Sequence, residues 1–389
     1  MTVGDTIREL RTGLGWSQAE LADVLCEAAG RPTLTRADIG RWERNVRTPR
    51  PFWLRHLAEV LGVTVEDLSR RQFTATALTL PLIARNEPGR VGVSDAAEMQ
   101  ARFARLREMD SYLGGADTYR LYTAELEHVE RLVARGTCNS ATRSALTSLL
   151  SEQAQQAAWS AFDAGHTNRA LRLYEYSHKA AVESGASDLA ANALIQISYA
   201  TAKPSALSAA EEGYASVGPG ASARTLALLR SRAAWSYAVA GDARNAAASL
   251  AASYDALCSE GETPPPHWAS WVDWTEVEIM TGRVWAVLHR PEQAIPALES
   301  ALSTYPDHFA RDKALYLTWL ADAQTDTGNA DEALSLADTA LTLAERVASV
   351  RPLARIREVS RRLAGLGLLE GARLAERVRE INPPVPAQL

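Results

Sequence analysis

TRADIGRWERNVRTPR, residues 35–50, holds five arginines in a chain whose formal net charge is −6. Thr35 followed by Asp38 three positions on is a helix-start signal, and Ala37, Ile39 and Trp42 recur at helical spacing to form an apolar face. Pro49 and Pro51 end the segment, which reads as one helix of about ten residues with its arginines outside the apolar stripe. Residues 36–55 carry six Arg against Asp38 and Glu43 alone, a local net of +4. Either this is a solvated helix face or it is a surface that meets phosphates.

The flanking sequence supplies the setting. Ile7, Leu10 and Leu14 give one amphipathic helix ended by Gly13 and Gly15. Ser17 with Glu20 forms a capping box for a second, which buries Leu21, Val24 and Leu25. Gly30, Arg31 and Pro32 stop it before Thr35 opens the third. Pro51 suits a first helical position, and Phe52, Leu54, Leu57, Ala58 and Leu61 make a fourth amphipathic stretch. A fifth begins at Thr64, with Val65 and Leu68 inside. Five short helices with an Arg-rich third one are the layout of a helix-turn-helix domain.

GWSQAELADVL, TRADIGRWERNVRTPR and FWLRHLAEVLGVTVEDL together resemble the lambda-repressor/Cro-type helix-turn-helix family, also called the xenobiotic response element family, over residues 4–70. One departure is CEAAGRPTL at 26–34, a longer turn than most members have between the second and third helices, as in an actinobacterial branch. The resemblance implies that Arg36, Ala37 and Arg41 face base edges, where an arginine bonds bidentately to guanine O6 and N7. It implies phosphate contacts for Gln18, Thr35, Arg44, Arg47 and Arg50, with Gln18 also bracing the third helix. Arg11 and Glu43 match an ion pair between the first and third helices, Ile39 and Trp42 match core positions, and capping is the expected duty of Asp38. Gly40 either lets the backbone approach DNA or has no special role.

Residues 74–94 lack a helical period and contain Pro81, Pro88, Gly89 and Gly92, so they read as a linker between a domain at 1–73 and a helical array at 95–389. In the array, GHTNRAL at 165, GDARNAA at 241 and GNADEAL at 328 share a turn glycine followed five residues later by alanine. TAKPSAL at 201 and HRPEQAI at 289 keep the frame without the glycine. A period of this length denotes stacked helical hairpins. ALYLTWLADAQTDTGNADEALSLADTAL resembles the tetratricopeptide repeat, with Leu317, Leu320, Ala321, Gly328, Ala333 and Ala340 at the frame positions, and residues 351–381 look like a closing helix pair. The expected fold is therefore all-α: a five-helix helix-turn-helix domain followed by a right-handed tetratricopeptide-like solenoid. The combination resembles helix-turn-helix/tetratricopeptide transcription regulators common in Streptomyces and relatives, and more distantly the peptide-pheromone-responsive regulators of Gram-positive bacteria. Those resemblances imply a double-stranded DNA operator, a homodimer, and a peptide or small-molecule effector.

The repeat frame turns Gln155, Trp159, Tyr199, Trp235, Arg283 and Asp322 toward a concave groove suited to a small amphipathic ligand, although Trp159 and Trp235 equally suit packing between repeats. Trp268, Trp271 and Trp274 form a stripe at intervals of three, expected on one helix, with core packing favoured over a ligand box. Arg351, Arg355, Arg357, Arg361 and Arg362 read as a solvated helix face or, less simply, a second DNA contact.

Composition excludes several classes. Apolar residues make up 47% and no run approaches membrane-spanning length, and MTVGDTIREL has no apolar signal core, so a cytoplasmic chain is expected. Cys26, Cys138 and Cys258 form no CxxC pair, which points away from disulfides and zinc. Arginine outnumbers lysine 38 to 3, a bias of GC-rich bacterial coding. No HExxH, GxSxG or GxxxxGK is present, and His128 and His308 beside acids read as surface, so neither an enzyme nor a cofactor is expected. Two functions stay in play: a DNA-binding regulator with a dimerising, sensing array, and a repeat scaffold for a protein partner with a vestigial basic domain.

Overall fold

A computed structural model describes residues 3–29, 34–44, 49, 51–61, 90–108, 115–201, 206–218, 220–259, 263–307, 309–345, 347 and 349–381. The expected fifth helix at Thr64–Leu68, the linker residues 74–89, Arg47, Arg50 and His308 lie outside the described residues. The chain divides into two compact units, Met1–Glu87 and Pro88–Leu389.

In the first unit, α1 (Val3–Gly13), α2 (Gln18–Ala29), α3 (Arg36–Glu43) and α4 (Pro51–Val60) surround one small core. Ile7, Leu21, Leu25, Ile39, Trp42 and Leu57 are buried there. The expected capping box starts α2: the Ser17 N–H donates to Glu20 Oε2 at 2.6 Å, and the Glu20 N–H donates to Ser17 Oγ at 3.2 Å. Across the long turn between α2 and α3, the Leu34 N–H donates to Cys26 Sγ at 3.4 Å and ties the two ends together.

The second unit is a series of helical hairpins. Its helices are α5 (Val93–Glu108), α6 (Gly115–Arg135), α7 (Ser140–Asp163), α8 (Thr167–Ser184), α9 (Ser187–Thr201) and α10 (Leu207–Ala215). They continue as α11 (Ala223–Val239), α12 (Ala243–Cys258), α13 (Trp274–Val287), α14 (Pro291–Ser303), α15 (Ala310–Asp326), α16 (Ala330–Ala344), α17 (Val350–Gly365) and α18 (Leu369–Glu380). From α7 on, each odd-numbered helix packs on the even-numbered helix that follows it, and successive odd-numbered helices from α5 to α17 also touch, which makes them one continuous inner layer. Among the described residues there is no strand, only an isolated bridge between Arg90 and Thr137. No described helix is long and apolar enough to cross a membrane.

The repeated turns follow from local chemistry. Gly165, Gly241 and Gly328 have φ of 88°, 80° and 82°, the left-handed region where a side chain is strained. His289 stands at the same frame position and keeps the turn with φ 53°, so the geometry persists without the glycine. Five residues on, Ala170, Ala246, Ala294 and Ala333 are fully buried where the paired helices cross. A larger side chain at those positions would force the helices apart.

Two expectations about the array fail. Trp268 lies in a separate turn, His267–Ala269, and is buried, whereas Trp271 and Trp274 are 46% and 49% exposed. The stripe is broken because Asp273 caps α13, accepting from the Glu276 N–H, so only Trp274 belongs to that helix. His128 is buried next to Arg102 and Glu125 and not on the surface, because α6 turns that face onto the interior. Burial, then the Arg102 charge, depress its pKa below the usual histidine range and favour the neutral ring.

Candidate functional site

Helix α3 is held by its inner face and leaves its outer face open. Ile39 and Trp42 are buried in the core. Glu43, with a side chain only 1% exposed, is the centre of a polar anchor: Arg11 Nε donates to its Oε1 at 2.6 Å, Arg11 Nη2 to Oε2 at 3.2 Å, and Gln18 Nε2 to Oε2 at 2.6 Å. Arg8 Nη2 also donates to the Glu43 carbonyl at 2.7 Å. One carboxylate thus ties α1, α2 and α3 together, and the expected Arg11–Glu43 pair is present. A buried charge is tolerable because it is paired and its lone pairs are filled.

The outer face carries the residues expected to meet DNA. Thr35, Arg36, Ala37 and Arg44 are exposed, and Arg41 is partly so. Asp38 accepts from the Thr35 N–H at 3.1 Å and from the Thr35 hydroxyl at 2.7 Å, the capping role expected of it. It also takes Arg41 Nη2 at 2.5 Å. The Thr35 hydroxyl bond, with help from Arg41 against a modest burial effect, holds the Asp38 carboxyl below the ordinary range and keeps it ionised. Gln18 is half-buried, its amide committed to Glu43. Gly40 has a packing reason: a Cβ there would lie 3.2 Å from Arg44 Nη1 and 3.4 Å from Gln18 Oε1, so its bareness makes room for both side chains.

In the second unit, five of the six residues expected in the groove come together on the inner layer, in contact with one another. The Trp159 ring lies 6.1 Å from that of Tyr199, Tyr199 lies 5.8 Å from Trp235, and Arg283 Cζ lies 4.8 Å from the Trp235 centroid. Asp322 joins through Arg355, whose Nη2 donates to it at 3.1 Å. Gln155 is set apart, accepting from Asn192 Nδ2 at 2.6 Å and donating to the Leu189 carbonyl at 3.0 Å.

Sequence reasoning missed three members of this cluster. Trp319 meets Trp235 edge-on at 5.4 Å. Arg351 and Arg355 were expected on a solvated face, yet they turn inward, with side chains 13% and 16% exposed. Arg351 Cζ lies 4.5 Å from the Trp159 centroid, and Arg355 Cζ 3.6 Å from that of Trp319. Arg362 is likewise held, by Asp322 at 2.7 Å and by Asp326, while Arg361 alone of the run keeps the expected exposure. Their spacing of four and then seven along α17 was the available signal, since it puts Arg351, Arg355 and Arg362 on one side of the helix.

The first unit carries a helix-turn-helix domain: residues 7–68 match the family model described as Helix-turn-helix. No curated protein matches the chain. Among solved structures, Bacillus thuringiensis PlcR in complex with the peptide PapR7 and DNA is similar over 97% of this chain and 94% of that chain, at 11% sequence identity and a TM-score of 0.26.

Proposed function

We propose that the chain is a sequence-specific DNA-binding transcription regulator in which the helical-repeat unit dimerises and senses an effector. The observation that carries this is the asymmetry of α3, whose inward residues are fixed by an apolar core and the Glu43 anchor, while Thr35, Arg36, Ala37 and Arg44 stand outside. A helix so braced suits the major groove, with Arg36, Ala37 and Arg41 toward base edges and Thr35 and Arg44 toward phosphates. Arg41 would exchange its Asp38 contact for a base. Arg47 and Arg50 extend the phosphate-facing row in sequence. One such helix reads too few base pairs for a unique operator, so paired half-sites and a homodimer are part of the proposal.

The test begins with DNA fragments recovered by the intact chain from a genomic library. Arg36→Ala or Arg41→Ala is expected to cost about 1–3 kcal/mol on the recovered site and to relax preference at one base pair, while Arg44→Ala weakens specific and random duplex alike and lowers the salt slope. Equal losses on both duplexes for all three variants would remove the base-reading assignment. Light scattering at micromolar concentration checks the dimer, which a monomer mass would overturn.

A further inference from the structure

The inner layer of the second unit contains a buried cation that enters no ion pair among the described residues. Arg283 is 4% exposed; its Nη2 donates to the Tyr199 hydroxyl at 2.7 Å and its Nη1 to Met280 Sδ at 3.2 Å, and it enters no ion pair among the described residues. The nearby carboxylates are committed elsewhere: Glu276 to Arg232, Asp163 to Ser349 and Arg351, and Asp322 to Arg355 and Arg362. A buried guanidinium without a counter-charge is costly, so its retention calls for a partner.

The unsatisfied atoms around it share one sign. Arg283 Nε, Trp235 Nε1, Trp319 Nε1 and Arg355 Nε are all buried N–H groups without an acceptor among the described residues. Their rings and guanidinium groups are contiguous, Arg283 Cζ lying 4.8 Å from the Trp235 centroid and 5.7 Å from that of Trp319. Buried donors normally find acceptors, and a cluster holding only donors is completed by a group that only accepts. One uncompensated positive charge matches a monoanion better than a phosphate dianion. Indole walls suit an apolar body, and a guanidinium fork suits the two oxygens of a carboxylate.

We infer that this inner face is a binding site for a monoanionic carboxylate ligand with an apolar body, the carboxylate received by Arg283 and Arg351 and the body held against Trp159, Trp235 and Trp319. The ligand enters past Arg351 and Arg355, the partly exposed members of the cluster. Such a ligand would replace the Tyr199 hydroxyl as the partner of both arginines, which join α13 to α17 through it at 2.7 and 3.1 Å. The inference rests on the sensing role proposed for this unit and gives that role its ligand chemistry.

The experiment uses the full chain, followed by thermal unfolding and tryptophan emission. The probes are benzoate against benzamide for a small acid, N-acetylphenylalanine against its amide for a peptide C-terminus, and inorganic phosphate. At least one acid is expected to raise the unfolding temperature saturably and to bind at least about tenfold tighter than its amide, with phosphate inert. Arg283→Met is expected to abolish that shift while leaving the unliganded protein as stable as the parent or more so, because it removes an unpaired buried charge; Arg283→Lys, which keeps the charge but loses the fork, is expected to weaken the acid. The inference is overturned if acids and amides act alike, if phosphate matches the acids, or if Arg283→Met destabilises the protein and leaves the acid response intact. No DNA enters this assay, so its failure would leave α3 as the DNA-reading helix, and loss of operator binding would leave an acid-specific shift standing.

Discussion

Tyr199 shows how much a single residue depends on what the fold sets around it. Burial alone would raise its phenol, but the charges of Arg283, Arg351 and Arg232 outweigh that and pull it down to about 8. Tyr316, also buried, faces the charge of Glu276 and is pushed well above the ordinary range. Because the Tyr199 pKa is lower in the folded chain than its unfolded value near 10, its contribution to stability is present above that unfolded value and is lost as pH falls through about 8. The parent is therefore expected to gain about 2–3 kcal/mol over Tyr199→Phe between pH 7 and pH 10, at 1.36 kcal/mol per pKa unit. Urea unfolding of both proteins across that range measures it, and phenolate absorbance should show one tyrosine ionising early. An unchanged difference between the two proteins would mean that the three arginines do not act on the phenol.

At the scale of the element, paired helices cross at small residues. In α13, a Cβ on Gly282 would strike the Leu298 side chain, with Leu298 Cδ2 at 2.9 Å and the Ala294 carbonyl oxygen at 3.1 Å. That glycine lets α13 and α14 approach, and its weak helix propensity is the cost of the contact. Gly282→Ala should destabilise by about 1–3 kcal/mol through overpacking, although alanine is the better helix former. Chemical denaturation is the measurement; a stabilised variant would show that propensity outweighs the crossing. The capping boxes at Ser17 and Thr35 and the alanine that follows each turn were legible in the sequence because they act within a few residues of themselves. The lack of a single tryptophan stripe was not, since where α13 begins depends on Asp273 capping it after an irregular segment.

Across the second unit as a whole, the end of α7 meets the start of α17. Ser349 Oγ donates to Asp163 Oδ1 at 2.8 Å, Arg351 Nη1 reaches the same oxygen at 3.6 Å, and Arg311 Nη1 lies 4.0 Å from Oδ2. Gly165, at the end of α7, leaves room for Val350, whose Cγ2 would be 3.1 Å from a Cβ there. Asp163 is therefore the counter-charge that ties α17 to α7. Asp163→Ala leaves the buried Arg311 and the partly exposed Arg351 short of a partner and is expected to cost about 3–5 kcal/mol, against about 1 kcal/mol for Ser349→Ala. Equal, small losses in urea unfolding would show that the contact between α7 and α17 rests on apolar packing alone.

Sequence by itself determined the helices, their turns and the polarity of α3, since periodicity, capping and left-handed turn positions are local properties of the chain. It also placed Trp159, Tyr199, Trp235 and Arg283 on one wall, because the repeat frame fixes which way each inner helix faces. Only the tertiary structure decided that the side chains of this wall touch one another, that Arg351 and Arg355 point into it, and that Arg283 enters no ion pair among the described residues. Those outcomes depend on pairs such as Ser349 and Asp163, 186 residues apart. No periodicity encodes the curvature that brings them together, because it accumulates from the small angle at every crossing between them.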